Sequence, residues 1–446
     1  MDLHGHLSSE RQARQVAPFQ EYLSFQMTAL SSHLHKITVS VGGGLVSQLL
    51  DQSVELFRKT SFEGFGNSGA PKKYIEDSYK SHIHHKVKNF AFQHLVVDFV
   101  FIEIFNRKII MANYPRLVSA EFQPDNGLVY IFDMAIADPL ELKEWKHFAF
   151  KSPKRKKYKD LDKQVVSFVE NRAASNKKVN PSLIEEYDWV LIDTVMVNAQ
   201  DAMISASLSG SFWIKIGNQE IAHPLINQLI GKQQDNSFYT TDLDLYEIED
   251  GVDKHSFKFL VTVKSIIKGQ LFSMDVFKST FRLKNKQDIH NKLMEIFSYR
   301  NDISQRKAII EEVFHLLLSK HRFEVPKHLV LRREEHILQT LIKQPDYHVY
   351  KAQKDFKECI QMLAEKQLKE EIIIDHIAYH ENIHMDLRDM QQYLHLLSNR
   401  RLKEFIYFRP LSEHLDDAQA MLNMTTLAQA VIREKTLNYV IYTLTH

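Results

Sequence analysis

The rhythm of hydrophobic and polar positions changes several times along this chain. Residues 34 to 41 alternate apolar and polar, the mark of a half-buried strand. Gly42-Gly43-Gly44 breaks that run, and Leu45, Leu49, Gln52, Leu56 and Phe57 then recur at helical spacing. A glycine-rich loop follows at Gly64 to Gly69, and Pro71 stands where a second helix opens. A longer apolar helix is expected over roughly residues 82 to 106. Two strand-like runs, near 116 to 122 and 128 to 136, flank Pro124-Asp125-Asn126-Gly127, a strong turn signal. This segment predicts one α+β domain ending near residue 145.

From Trp189 to about Ile267 the texture becomes β-branched and aromatic, with turns between Trp189 to Val197, Phe212 to Ile216 and Phe257 to Ile266. A compact β domain is expected there. Beyond residue 270 the pattern reads as helix almost throughout. Ile309, Val313, Leu316 and Leu317 keep helical spacing, and Pro326 sits at a helix start. Ala420, Met424, Leu427 and Val431 mark one face of a last long helix, with Asp416 and Asp417 in its first turn. The expected architecture is multidomain α+β. It comprises a polar extension (1–23), an N-terminal α+β domain (24–145), a basic linker and helix (146–187), a β domain (188–267) and a large all-helical C-terminal domain (268–446).

Composition narrows the function classes. The 446 residues carry a formal net charge of +1, so no global field draws the chain to DNA or an acidic membrane. A single cysteine, Cys359, excludes an internal disulfide and a cysteine-built zinc site, and fits a reducing compartment. The most hydrophobic run, Leu95 to Phe105, is short and broken by Asp98 and Glu103, so it reads as a buried helix. No apolar h-region occurs in the first 23 residues, and no G-x-x-x-x-G-K-[ST] loop occurs to hold a nucleotide. A cytoplasmic protein without cofactor or metal is the expectation.

The order of glycine loop, inserted β domain and helical remainder resembles trigger factor, over about residues 25 to 446. The family's ribosome-docking loop reads Gly-Phe-Arg-x-Gly-Lys-x-Pro. Here Gly64-Phe65-Gly66-Asn67-Ser68-Gly69-Ala70-Pro71 takes its place, so Gly64, Phe65 and Pro71 match while the arginine and lysine become Gly66 and Gly69. Each lost cation removes a counterion-releasing phosphate contact, and Lys72 and Lys73 follow as substitutes. The resemblance implies docking on the large ribosomal subunit near the exit tunnel. The run Lys151 to Lys159 is a flexible basic connector or a second contact with it.

Residues 188 to 266 resemble an FKBP-type peptidyl-prolyl cis-trans isomerase domain, carried by Ile192-Asp193 and by Phe212 through Ile221. Such a site needs no acid or base, only a dry aromatic pocket that favours the twisted amide. The resemblance places Asp193, Phe212, Ile221, Leu225, Tyr246 and Phe259 at pocket positions. Leu225 replaces an aromatic floor, Ala222 an apolar position, and Ile204-Ser205 a Phe-acid pair, so the pocket is eroded and activity weak or absent.

His380-Glu381-Asn382-Ile383-His384 spells a zinc-hydrolase motif. Asn382 suits a helix end, however, and Asp386 with Asp389 a new helix cap, which would separate the two histidines. The family resemblance further implies two helical arms, assigned to 326–345 and 350–408, around a cradle for nascent or unfolded polypeptide. Met362, Met385, Met390, Met421 and Met424 are its candidate lining, since flexible methionines repack against varied clients. The reading is an ATP-independent chaperone; an active isomerase and a ribosome-independent scaffold are the alternatives.

Overall fold

The computed structural model describes residues 22–58, 70–112, 114–123, 127–137, 140–151, 163, 165–167, 182–198, 201–203, 209–217, 223–243, 257–269, 277–278, 283–298, 305–342, 346–398, 406–410 and 420–445. The described residues open with β1 (Leu23–Ala29) and β2 (Leu34–Val41), then α1 (Gly43–Arg58), α2 (Lys72–Ser78) and α3 (Lys80–Ala91). A π-helical turn, Phe92–Val96, joins α3 to α4 (Val97–Asn106), and β3 (Arg116–Phe122) and β4 (Leu128–Ala135) follow. The four strands form one antiparallel sheet, ordered β1-β2-β4-β3. The expected long helix is thus present but offset at its middle, where its hydrogen bonding loosens. Residues 152–159 of the basic run lie outside the described residues.

The second sheet holds β5 (Trp189–Val197), β6 (Ser209–Lys215), β7 (Ser237–Thr240) and β8 (Lys258–Ile267), with α5 (Pro224–Leu229) between β6 and β7. Its central strand β5 is apolar on both faces because both are largely buried. On β5, Val190, Ile192 and Met196 enter a core shared with the first sheet and α1, α3 and α4. Trp189 and Leu191 enter a core made with the C-terminal helices. A strand covered on both sides reads as a near-continuous hydrophobic run, which is the pattern of Trp189 to Val197.

The remaining elements are α6 (Lys286–Ser298), α7 (Gln305–Lys320), α8 (Lys327–Ile342), α9 (Tyr347–Lys351), α10 (Phe356–His380), α11 (Leu387–Ser398), β9 (Ala420–Asn423) and α12 (Met424–Thr445). The expectation of an all-helical remainder fails at β9. It adds to the edge of the second sheet, pairing Lys215 with Ala420 and Phe212 with Asn423. Ala420 and Leu422 are buried while Met421 and Asn423 are half-buried. This is a period of two, and α12 begins only at Met424. The proposed first-turn acids, Asp416 and Asp417, lie outside the described residues.

The helices meet through buried ion pairs. Arg333 on α8 binds Glu371 on α10 with two bonds of 2.7 and 2.8 Å. Arg433 on α12 grips Asp375 at 2.9 and 2.7 Å, and Arg306 on α7 reaches Glu434 at 2.7 Å. Such pairs add little net stability but strongly disfavour the loss of either partner. Among the described residues no helix is long and apolar enough to cross a membrane.

Candidate functional site

Neighbouring residues on a strand face opposite sides of a sheet, and directly paired residues share a side. Ile192 pairs with Phe212 on the side turned toward the first sheet, where Phe257, Phe259 and Leu225 also lie. Pro224 at the first helical position starts α5, and the Leu225 N–H donates to His223 Nδ1 at 3.3 Å, which seats Leu225 in that core. Here the sequence places an isomerase pocket. Phe90 and His94 pack against that face. Phe90 on α3 lies 4.6 Å from Phe257 and 6.0 Å from Phe259, ring centre to ring centre. His94, four residues on, stacks on Phe90 at 4.6 Å and meets Phe212 and Phe259 at 5.8 and 5.9 Å. Burial lowers the His94 pKa to about 4, so its ring stays neutral among the phenylalanines.

Of the six assigned pocket residues, Phe212, Leu225 and Phe259 come together. Asp193 does not. It pairs with Ser211 on the opposite side of the sheet, where the Ser211 hydroxyl donates to its carboxylate at 2.7 Å. Strand alternation overrules its place in the pocket. Ile221 and Tyr246, with Ile204, Ser205 and Ala222, lie outside the described residues. Phe90 and His94 were not foreseen as pocket neighbours, although an aromatic pair four residues apart on an apolar helix was there to see.

The docking loop is described only at its end; Gly64 and Phe65 lie outside the described residues. Pro71 precedes the first residue of α2, as expected. Lys72 bonds Asp51 at 2.8 Å and sits 3.7 Å from Glu76, and the bond to Asp51, first, raises its pKa. Its charge is therefore answered within the protein, which leaves Lys73, exposed beside it, as the freer substitute for the lost loop cations.

The family model described as bacterial trigger factor protein matches residues 23–168. Curated relatives extend the likeness along the chain. A trigger factor of Geotalea daltonii is 19% identical, over 85% of this chain and 88% of its own. Those of Desulfatibacillum aliphaticivorans and Geobacter metallireducens are 22% and 20% identical, over 78% and 93% of this chain and 81% and 96% of theirs. The likeness is to a divergent trigger factor. A solved trigger factor chaperone, from work on promiscuous substrate recognition in folding and assembly, aligns over 94% of this chain and 99% of its own at 13% identity and a TM-score of 0.35.

The five methionines named as candidate lining divide by their exposure. Met362 on α10 is 62% exposed. Met390 is core, and Met385 and Met424 pack half-buried against the same cluster. Met421 lies in β9 against the core between the sheets. Met390 is thereby corrected from lining to core, because α11 turns it under the second sheet's far face. Exposed apolar residues that the sequence reading passed over surround the hairpin of α8, α9 and α10: Leu331, Ile342, Val349, Tyr350 and Leu363. Their signal was available in α9, a polar five-residue helix carrying Val349 and Tyr350 with no buried residue.

The zinc motif breaks where its residues said it would. Helix α10 ends at His380, Asn382 takes φ +50°, and Asp386 and Asp389 exchange backbone-to-carboxylate bonds of 3.0 and 2.8 Å at the head of α11. Reciprocal bonds of this kind cap a new helix. Glu381, the residue a hydrolase would use as base, is instead ion-paired to Lys146.

Proposed function

We propose that this chain is an ATP-independent chaperone that binds nascent or unfolded polypeptide in the cytoplasm. The observation that carries the reading is the apolar surface around the α8–α9–α10 hairpin, where Ile342, Val349 and Met362 are each more than half exposed. Exposed apolar side chains on successive helices of a folded protein suit weak, sequence-tolerant binding. Similarity to trigger factors supports the same reading, and the loop around Phe65 is the proposed contact with the large ribosomal subunit. The aromatic face of the second sheet serves structure in this proposal, since Phe90 and His94 occupy the space that a prolyl peptide would need. The direct test is aggregation of a chemically denatured protein diluted into buffer. The full chain at about equimolar amounts should suppress light scattering, and Ile342→Ser with Val349→Ser and Met362→Ser should lose about half or more of that effect. Full suppression by the triple variant would sink the hairpin assignment.

A further inference from the structure

Between α7 and α10 lies a cleft of about 520 Å³, lined by Glu311, Glu312, Phe314 and His315 on one helix and by Lys366 and Glu370 on the other, with Leu318 and Ser319 at its end. Its size suits a side chain or a small ligand. Glu370 is 1% exposed, and its two oxygens differ. Oε2 accepts from the Tyr407 hydroxyl at 2.7 Å, while Oε1 has no hydrogen-bond partner among the described residues. The nearest cation, Lys366 Nζ at the exposed rim, stands 3.8 Å from Oε1, beyond hydrogen-bond reach.

The neighbouring buried acids make this unusual. Asp375 has Arg433, Glu434 has Arg306 and Asp188 has Lys268, each within 2.7 Å. Glu371, one residue from Glu370, has both Arg333 and Arg433. The protein thus supplies a cation to each of these acids, and withholds a close one from the acid that lines a cleft. A buried carboxylate with an unmade bond is a costly arrangement unless a partner comes to it. Two further carboxylates, Glu311 and Glu312, lie at the cleft with an aromatic ring, Phe314, in its wall. That combination attracts a cation with an apolar or planar stem.

We propose that this cleft is a binding site for an alkylguanidinium or alkylammonium group, which displaces Lys366 and bonds Glu370 Oε1. The source of the cation is a basic side chain of a bound polypeptide or a free alkylamine of similar size. The polypeptide source rests on the client-binding reading; the site itself does not.

The test uses the full chain and NMR saturation transfer to three probes: a short peptide with one arginine, its citrulline counterpart, and free ethylguanidinium. The arginine peptide should bind about tenfold or more tightly than the citrulline peptide. Glu370→Gln, which keeps an acceptor for Tyr407, should abolish that preference, and Lys366→Met should strengthen it. Glu365→Gln, an acid on the same helix paired with Lys369, should leave it unchanged. Binding of ethylguanidinium alone assigns the site to small cations; binding of the arginine peptide beyond it assigns it to polypeptide. Equal binding of arginine and citrulline peptides overturns the proposal, as does an equal loss in Glu365→Gln and Glu370→Gln. Either result leaves suppression of aggregation as a separate measurement.

Discussion

Glu370 gives up its proton at a higher pH than a surface glutamate does. Burial, first, pushes its pKa up to about 7, against the opposing pull of the Tyr407 bond and Lys366. In the unfolded chain the group ionises near its ordinary 4.5. The folded state therefore binds the extra proton between those values, and this group's stabilising contribution is full below about pH 4.5 and lost as pH rises through about 7. The difference is on the order of 3 kcal/mol. Glu370→Gln should remove it, so the variant's urea midpoint should exceed that of the parent at about pH 8 and the gap should close toward about pH 5. A gap independent of pH would mean that Glu370 is not protonated in the folded protein. None of this was legible in the sequence. Lys369-Glu370-Glu371 reads as a solvated charge run on a helix, and the arginines that draw Glu371 inside stand at 333 and 433, at distances no periodicity records.

Elements fared better, for a physical reason. Strands β2, β3 and β4 and helices α1 and α8 were readable because each carries its own period and punctuation: alternation, a turn, a proline. What failed was short and depended on a distant partner. β9 spans four residues; Met424, Leu427 and Val431 do lie on α12, but Ala420, in helical register with them, belongs to a strand because β6 supplies the edge. The assignment of Asp193 to the isomerase pocket failed in the same way, since the alternation that sends Phe212 to one side sends Asp193 to the other. Phe90 makes the same point energetically. It joins α3 to β8 across the two sheets, so Phe90→Ala should cost about 3–5 kcal/mol in urea unfolding. Opening that face should not create faster refolding of a proline-limited substrate, because Leu225 stands where the resemblance expects an aromatic floor. A variant that did accelerate such refolding would reinstate the isomerase and make Phe90 its inhibitor.

At the scale of the whole molecule, the two sheets and their intervening helices share one core, and the C-terminal helices close the second sheet's other face. The ribosome contact in this proposal rests on few charges, since Gly66 and Gly69 stand where the family has cations and Lys72 is held by Asp51. Co-sedimentation with ribosomes should therefore depend only shallowly on salt, and Phe65→Ala should reduce pelleting about tenfold, more than Lys73→Ala does. A steep salt dependence that Lys73→Ala flattens would shift the contact from the ring to the charge. One feature of the assembled molecule reaches back to its synthesis. The edge strand of the second sheet pairs residues roughly 200 positions apart, and a polypeptide leaves the ribosome in order. Strand β6 is therefore made long before its partner β9 exists. Until Asn423 has been translated, the open border of β6 can pair with any passing strand, and Trp213 lacks its cover. A molecule proposed to shelter unfinished chains is, for most of its own making, one of them.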